Sequence, residues 1–388
     1  MSRARVLRLL RWALVAVGVV LALAAPLSLR SFWLQAGLFS MAAVVSAIGL
    51  TLLVGRAGQL SIGHAFFVAV GAYGYCYLAG TGDDRLAGLG LPPVVAAVAA
   101  VLAAGLAGAL FSPISGRLRG IYLGLASVGL VFLGQHILNN ATPLTGGFNG
   151  RDAAPFTLFG FTFANSDPTR FVVLGVQYGQ LERLWYLFLA CTALAWWCAR
   201  NLVRSRPGRA LATLRDSEVA AGAMAVHVSR YKAAAFTVSS MYAGLGGVLT
   251  ALAFGRIVPD SFGLNASVAF LVMIVIGGIG SVGGAVLGGF FVTLLPLVLG
   301  HYSDLLPFLA QPGGSGISAA DLSRILYGLA IVLVLLFAHD GLAGLGRRIR
   351  RGLARGAGRS RGTPDSPAPV PADPDPAREP TPTKELAP

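Results

Sequence analysis

From Ala266 to Leu299 the chain runs for 34 residues without a charged side chain. A helix needs about 20 apolar residues to cross about 30 Å of hydrocarbon, so this stretch is too long for one crossing. The cluster Gly277-Gly278-Ile279-Gly280-Ser281-Val282-Gly283-Gly284 divides it, since each glycine costs a helix interior about 1 kcal/mol. Two short helices joined by an irregular turn are expected there. Further apolar runs occupy Trp12–Leu29, Phe32–Val54, Leu60–Ala79, Pro92–Phe111, Ile121–Leu138, Leu184–Leu202, Ala233–Phe254 and Ile325–Ala338. The fold class expected is therefore an all-α polytopic membrane protein with about ten transmembrane helices. Composition agrees. Charged residues make up 12%, half the roughly 25% of a soluble domain, which excludes an ordinary soluble enzyme. Cys76, Cys191 and Cys198 are too few for a disulfide framework, and each sits in an apolar run as a small buried hydrophobe.

A net charge of +14 on a soluble protein would suggest nucleic acid. Placed on ten spans with the N-terminus inside, the basic residues divide 23 inside to 7 outside, while the acids divide evenly. That is the positive-inside pattern, and it puts both termini in the cytoplasm. The Arg-rich start followed by an apolar run and Ala24-Ala25-Pro26 also fits a cleaved signal peptide. The length of the run and the poor small-x-small site favour a retained first helix. Residues 1–346 are expected to form the membrane domain. Arg347, Arg348, Arg350 and Arg351 then anchor the topology, and the proline-rich tail to Pro388 is expected to be extended and disordered.

Three segments carry chemistry. The basic segment 204–232 faces the cytoplasm. Ser217 is a plausible N-cap and Glu218 suits the positive end of the helix it opens. Val219, Ala220, Ala223, Met224 and Ala225 give that helix small apolar faces, which suit a groove on a partner protein. The plainer alternative is a topology anchor. The second segment, Val54 to Ala65, gathers Gln59, Ser61 and His64, which would be costly against lipid. Ser61 and His64 are three apart and would share a helix face. With no orienting acid nearby they make a weak nucleophile–base pair, and pore lining or interhelix hydrogen bonding is the better reading. The third is the glycine cluster, read either as close helix packing or as a break in the translocation path. The 45-residue loop Asn139–Arg183, with Leu144-Thr145-Gly146-Gly147-Phe148-Asn149-Gly150, could cap the pore or receive an extracellular partner. His136, His227, His301 and His339 stand singly and suggest no metal site. Neither Lys232 nor Lys384 follows a glycine, so the chain lacks a Walker A motif.

Several motifs in order resemble the LivM-like permease subunits of branched-chain amino-acid ABC importers. They are Gly55 to Phe67 continuing to Gly71-Ala72-Tyr73, Arg119 to Leu123, Leu144 to Gly147 with Gly150, Arg209 to Lys232, and Phe270 to Ser281. The resemblance implies a half-transporter in a bacterial cytoplasmic (inner) membrane. Its implied partners are a second permease subunit, two ATPase subunits and an extracytoplasmic solute-binding protein. ATP-Mg belongs to the ATPases, and no cofactor is expected in this chain. The segment opening at Glu218 looks like the coupling helix. Arg215, Glu218, Ala220, Ala221, Met224 and Ala225 are its expected contacts, with a partner groove sized for Ala221. Gln59, Ser61, His64, Gly277, Gly278, Gly280 and Ser281 are assigned to the translocation path or to helix packing. Three departures stand out. Ala225 occupies a usual glycine position and is expected to stiffen the helix slightly. Val268-Ala269 replaces a polar residue, and His339-Asp340 replaces a proline-containing approach to the last helix end.

A urea or short-chain amide permease of the same superfamily is the nearest alternative function. A stand-alone secondary carrier is disfavoured because the spans from Trp12 to Leu299 lack Asp and Glu, and an intramembrane enzyme because only Ser61 and His64 are available.

Overall fold

A computed structural model describes residues 17–82, 85–118, 120–158, 160–164, 172–173, 176–177, 179–302, 318–337, 341–342 and 344. Arg119, Asp167, Arg170, His339, Asp340 and the basic cluster and tail from Arg347 to Pro388 lie outside the described residues, as does the chain before Val17.

The described helices are α1 (Val17–Ser28), α2 (Ser31–Leu50, continued by a π-helical turn Thr51–Arg56), α3 (His64–Ala79), α4 (Pro93–Arg117), α5 (Ile121–Asn140), the single turn α6 (Thr142–Thr145), α7 (Gln180–Arg204), α8 (Arg206–Asp216), α9 (Glu218–Ala223), α10 (Val228–Phe254), α11 (Leu264–Gly277), α12 (Val282–His301) and α13 (Ala319–Phe337). Among the described residues, each apolar run is largely helical, as expected where hydrocarbon offers the backbone no hydrogen bonds. Seven of these segments are long and apolar enough to cross a membrane among the described residues. By length and composition the described residues thus hold seven crossings, and the expected count of ten is not confirmed. Val17–Ser28 and His64–Ala79 are apolar but shorter. The two helices around the glycine cluster are not both short, because α12 alone has 20 residues.

Helices α2 and α10 form the centre. α2 is buried along most of its length, and α10 packs against α2, α3 and α4. Small residues allow this. A Cβ at Gly71 would strike the Gly244 carbonyl, and one at Gly247 the Val68 carbonyl. Backbones that approach this closely gain van der Waals contact, which lipid-embedded helices use in place of a hydrophobic drive. The outer faces of α4 and α5 show the opposite. Val95, Val98, Leu102, Leu106 and Leu110, with Leu125, Phe132 and Leu133, are exposed and apolar. Cys198 is also exposed, contrary to the burial expected of it, on an α7 surface shared with Trp197. An apolar residue has no need of the interior when the surroundings are hydrocarbon.

α1 is stapled to α7. Trp185 Nε1 donates to the Ala22 carbonyl at 2.9 Å. Pro26, four residues on, has no N–H to offer that carbonyl. At the end of the bundle opposite α9, Arg151–Asp152 pairs antiparallel with Arg256–Ile257. Arg151 is buried and donates to the Leu144 carbonyl at 2.8 Å, while Asp152 and Arg256 form a two-point ion pair at 2.7 and 3.0 Å. The start of the Asn139–Arg183 loop is thus tied down to the α10–α11 connection.

Candidate functional site

The π-turn at the end of α2 and the chain after it build one wall of the site. A π-turn widens the helix locally and is common where function needs irregular backbone. Ala57 N–H still reaches back to Leu52 and Leu53. Gly58 then takes φ +68°, and residues 58–63 leave the helix altogether. Serines from other helices satisfy the freed N–H groups. Ile62 N–H donates to Ser127 Oγ at 2.8 Å and Ala65 N–H to Ser267 Oγ at 3.1 Å. Gly63 N–H donates to Ser61 Oγ at 3.3 Å.

This corrects the expectation that Ser61 and His64 share one helical face. α3 begins at His64, so Ser61 precedes the helix and shares no face with it. His64 Nε2 donates to the Ser46 carbonyl at 2.8 Å, and its ring meets Phe270 edge-on. The imidazole locks α3 onto α2 and is not poised as a base. Gln59 is buried, and neither its amide oxygen nor its nitrogen has a hydrogen-bond partner among the described residues.

The glycine cluster forms the facing wall. α11 ends at Gly277, and Gly278 and Gly280 have φ of +111° and +81°, values that favour glycine. Ser281 restarts the chain by capping α12, its Oγ accepting from Gly284 N–H at 3.1 Å. Gly277 and Gly284 stand back to back, each where a Cβ would meet the other's carbonyl. Gly55 and Gly280 also touch. A Cβ on Gly280 would lie 2.9 Å from the Gly55 oxygen.

Arg215 joins these walls to the α8–α9 pair. Its Nη1 donates to the Gly55 carbonyl at 3.0 Å and its Nη2 lies 3.2 Å from Asp216. Ser217 caps α9 as expected of it, accepting from Ala220 N–H at 3.2 Å. Glu218 faces back into the chain and pairs with Lys232 at 2.5 Å. The lysine side chain is only 5% exposed, so removing Glu218 alone would strand a buried ammonium at about 3–5 kcal/mol. A cavity of about 170 Å³ lies behind the pair, lined among others by Gln59, Ser115, Arg215, Ser217, Glu218 and Lys232.

α9 ends in a Schellman motif. Val226 N–H bonds to the Ala221 carbonyl and Ala225 N–H to the Gly222 carbonyl, each at 3.0 Å. Ala225 has φ +59° and is the one non-glycine residue in the left-handed region among the described residues. It therefore does not stiffen α9. It lies beyond the helix end, in the conformation that ordinarily calls for glycine. A second correction concerns Ala221, which is fully buried within this chain. The outward side of α9 is instead Val219 and Met224, 83% and 72% exposed, with Ala220 beside them.

Sequence reasoning counted Lys232 only as a loop charge and missed Ser46, Ser127 and Ser267. Lys232 carries a signal that could have found it, since it is the last basic residue before the apolar run Ala233–Phe254 and has Glu218 as a nearby acid. The serines carry none, because Ser127 and Ser267 accept from backbone N–H groups and Ser46 offers only its carbonyl to the His64 ring, in each case more than 15 residues away.

Residues 33–335 match the family model described as branched-chain amino acid transport system / permease component. The high-affinity branched-chain amino acid transport system permease protein LivM of Salmonella typhimurium is 28% identical over 350 residues, covering 87% of this chain and 77% of the relative. LivM of Escherichia coli is equally similar. The permease protein BraD of Pseudomonas aeruginosa is 26% identical over 305 residues, 77% of this chain and 90% of that one. No solved structure matches the chain significantly.

Proposed function

We infer the function from one premise: the chain belongs to the branched-chain amino-acid transport permease family. It is a multi-pass transmembrane permease component. We propose that it is one half of the membrane pore of an ABC importer for branched-chain amino acids. In this reading it pairs with a second permease subunit, takes solute from an extracytoplasmic binding protein, and is driven by two ATPase subunits that hold the ATP and its magnesium. It sits in the bacterial cytoplasmic membrane with α8, α9 and both termini inside, an orientation supported by the distribution of arginines.

The observation that carries the coupling role is the exposed apolar side of α9. Val219 projects from this six-residue helix and Met224 from the residue that caps its C-terminal end. Apolar side chains at the water-facing end of a membrane protein cost free energy unless a partner covers them. ATP-driven closure of the ATPases then displaces α8 and α9 together. Arg215 carries that displacement to Gly55, and through the Gly55–Gly280 contact to the break between α11 and α12. Three of the residues around that break, Gly58, Gly278 and Gly280, hold positive φ, so a change there meets little steric resistance. No bond is made or broken in this chain.

The test is reconstitution of this permease with its second permease, ATPases and binding protein in vesicles. ATP-dependent uptake of labelled leucine is expected. Uptake of urea without leucine would move the assignment to the amide-transporting branch.

A further inference from the structure

We propose that the Glu218–Lys232 ion pair is a brace that makes α9 move as one body with α10. This rests on the reading of α9 as the docking helix. α9 is joined to α10 covalently through the turn Met224–His227, whose Ala225 has φ +59°. To α10 that turn is the one covalent joint, since the other end of α9 runs through Ser217 into α8. The ion pair supplies a second point of attachment at the opposite end of α9, because Glu218 is its first residue and Lys232 lies just over one turn into α10. Joint and brace together close a triangle. The pair lines the 170 Å³ cavity, and its contact links the N-terminal end of α9 directly to α10.

The geometry gives the brace a purpose. α10 runs along α2, α3 and α4 with glycine-mediated backbone contacts. A push on α9 that reaches α10 is therefore delivered to the centre of the membrane domain. Arg215 serves α8 and the Gly55 junction, while Glu218 serves α9 and α10. Lys232 is a positioning residue, since it is buried and touches neither solute nor partner in this account.

The experiment uses the complete transporter in vesicles and compares three forms: wild type, Glu218→Gln, and the double variant Glu218→Gln with Lys232→Met. The double variant leaves no buried unpaired charge, so it separates folding from bracing. Membrane level, retention of the ATPases on purification, ATP hydrolysis and leucine uptake are read together. Glu218→Gln alone is expected to lower the membrane level, whereas the double variant is expected to retain the ATPases and hydrolyse ATP near the wild-type rate. Uptake per ATP hydrolysed is expected to fall at least tenfold in the double variant. Uptake per ATP within twofold of wild type in the double variant would overturn the proposal. So would its failure to insert or to hold the ATPases, which would make the pair a folding or docking element. If the wild-type chain itself holds no ATPase, the docking reading fails instead.

Discussion

Arg215 reaches from α8 to the Gly55 carbonyl at 3.0 Å, and Gly55 in turn lies backbone to backbone against Gly280. One guanidinium thus touches the place where two broken helices meet. The contact needs glycine on both sides and makes the junction open to a sharp test. Gly280→Val introduces a branched side chain at φ +81° beside the Gly55 oxygen, where the backbone conformation alone costs about 1–2 kcal/mol. Gly300 has nothing within 4 Å of a built Cβ. Leucine uptake normalised to membrane level is expected to fall severalfold for Gly280→Val and to stay near wild type for Gly300→Val. Equal behaviour of the two variants would remove the junction from the account.

Ala225→Gly is expected to stabilise the turn after α9. Alanine at φ +59° bears a strain of about 1–2 kcal/mol, and the greater freedom of glycine in the unfolded chain returns about 0.4–1 kcal/mol of that. The net gain is between about 0 and about 1.6 kcal/mol. Hydrogen exchange at the Val226 amide, which closes the Schellman motif, should slow. Faster exchange would show that the left-handed assignment is wrong.

The two sides of α9 should respond differently to substitution. Ala221 is fully buried inside the chain, whereas Met224 is 72% exposed. Ala221→Trp would force a side chain of about 150–250 Å² into a filled space, so it should lower the amount of folded permease in the membrane. Met224→Glu should leave that amount unchanged and reduce ATPase retention and uptake together. A folded, abundant Ala221→Trp protein would place that residue on the docking side after all.

Asp152 and Arg256 give a pH prediction at the other end of the bundle. The hydrogen bonds from Arg256 hold the Asp152 carboxyl below its ordinary range. A depressed carboxylate pKa contributes stability that is complete above the unfolded-state pKa, near 4, and is lost as pH falls through the folded value. The pair is largely exposed, at 60% and 69% for the two side chains, so its contribution is small and screened by salt. Asp152→Asn should therefore lower the melting temperature slightly at pH 7 in low salt, and the difference should vanish as pH falls through the depressed folded value of the Asp152 carboxyl. A difference that grew on acidification would contradict the pairing.

Much of the fold was legible in the sequence because lipid imposes one rule: a long apolar run must be a helix. The break at Gly277–Gly280 was legible for a related reason, since glycines cluster where positive φ or close approach is required. Ser217 as a cap could be read from local chemistry alone. The sides of α9 could not. Alanine occurs on its buried and exposed sides alike, and only the fold tells Ala221 from Ala220. The spacing of Ser61 and His64 misled, because the chain leaves the helix after a π-turn that no residue pattern announces. The Glu218–Lys232 pair depends on the turn at Ala225, which folds the chain back by a conformation unusual for alanine.

The central claim is that the exposed side of α9 docks on the ATPase. A photo-crosslinking amino acid at Met224, in cells that express the whole importer and take up leucine, tests it most directly. The control position is Leu106, 62% exposed on the apolar outer side of α4. Crosslinking at Met224 is expected to yield an adduct of the permease with the ATPase subunit, and Leu106 none with that subunit. Normal leucine uptake with no ATPase adduct at Met224 would contradict the account.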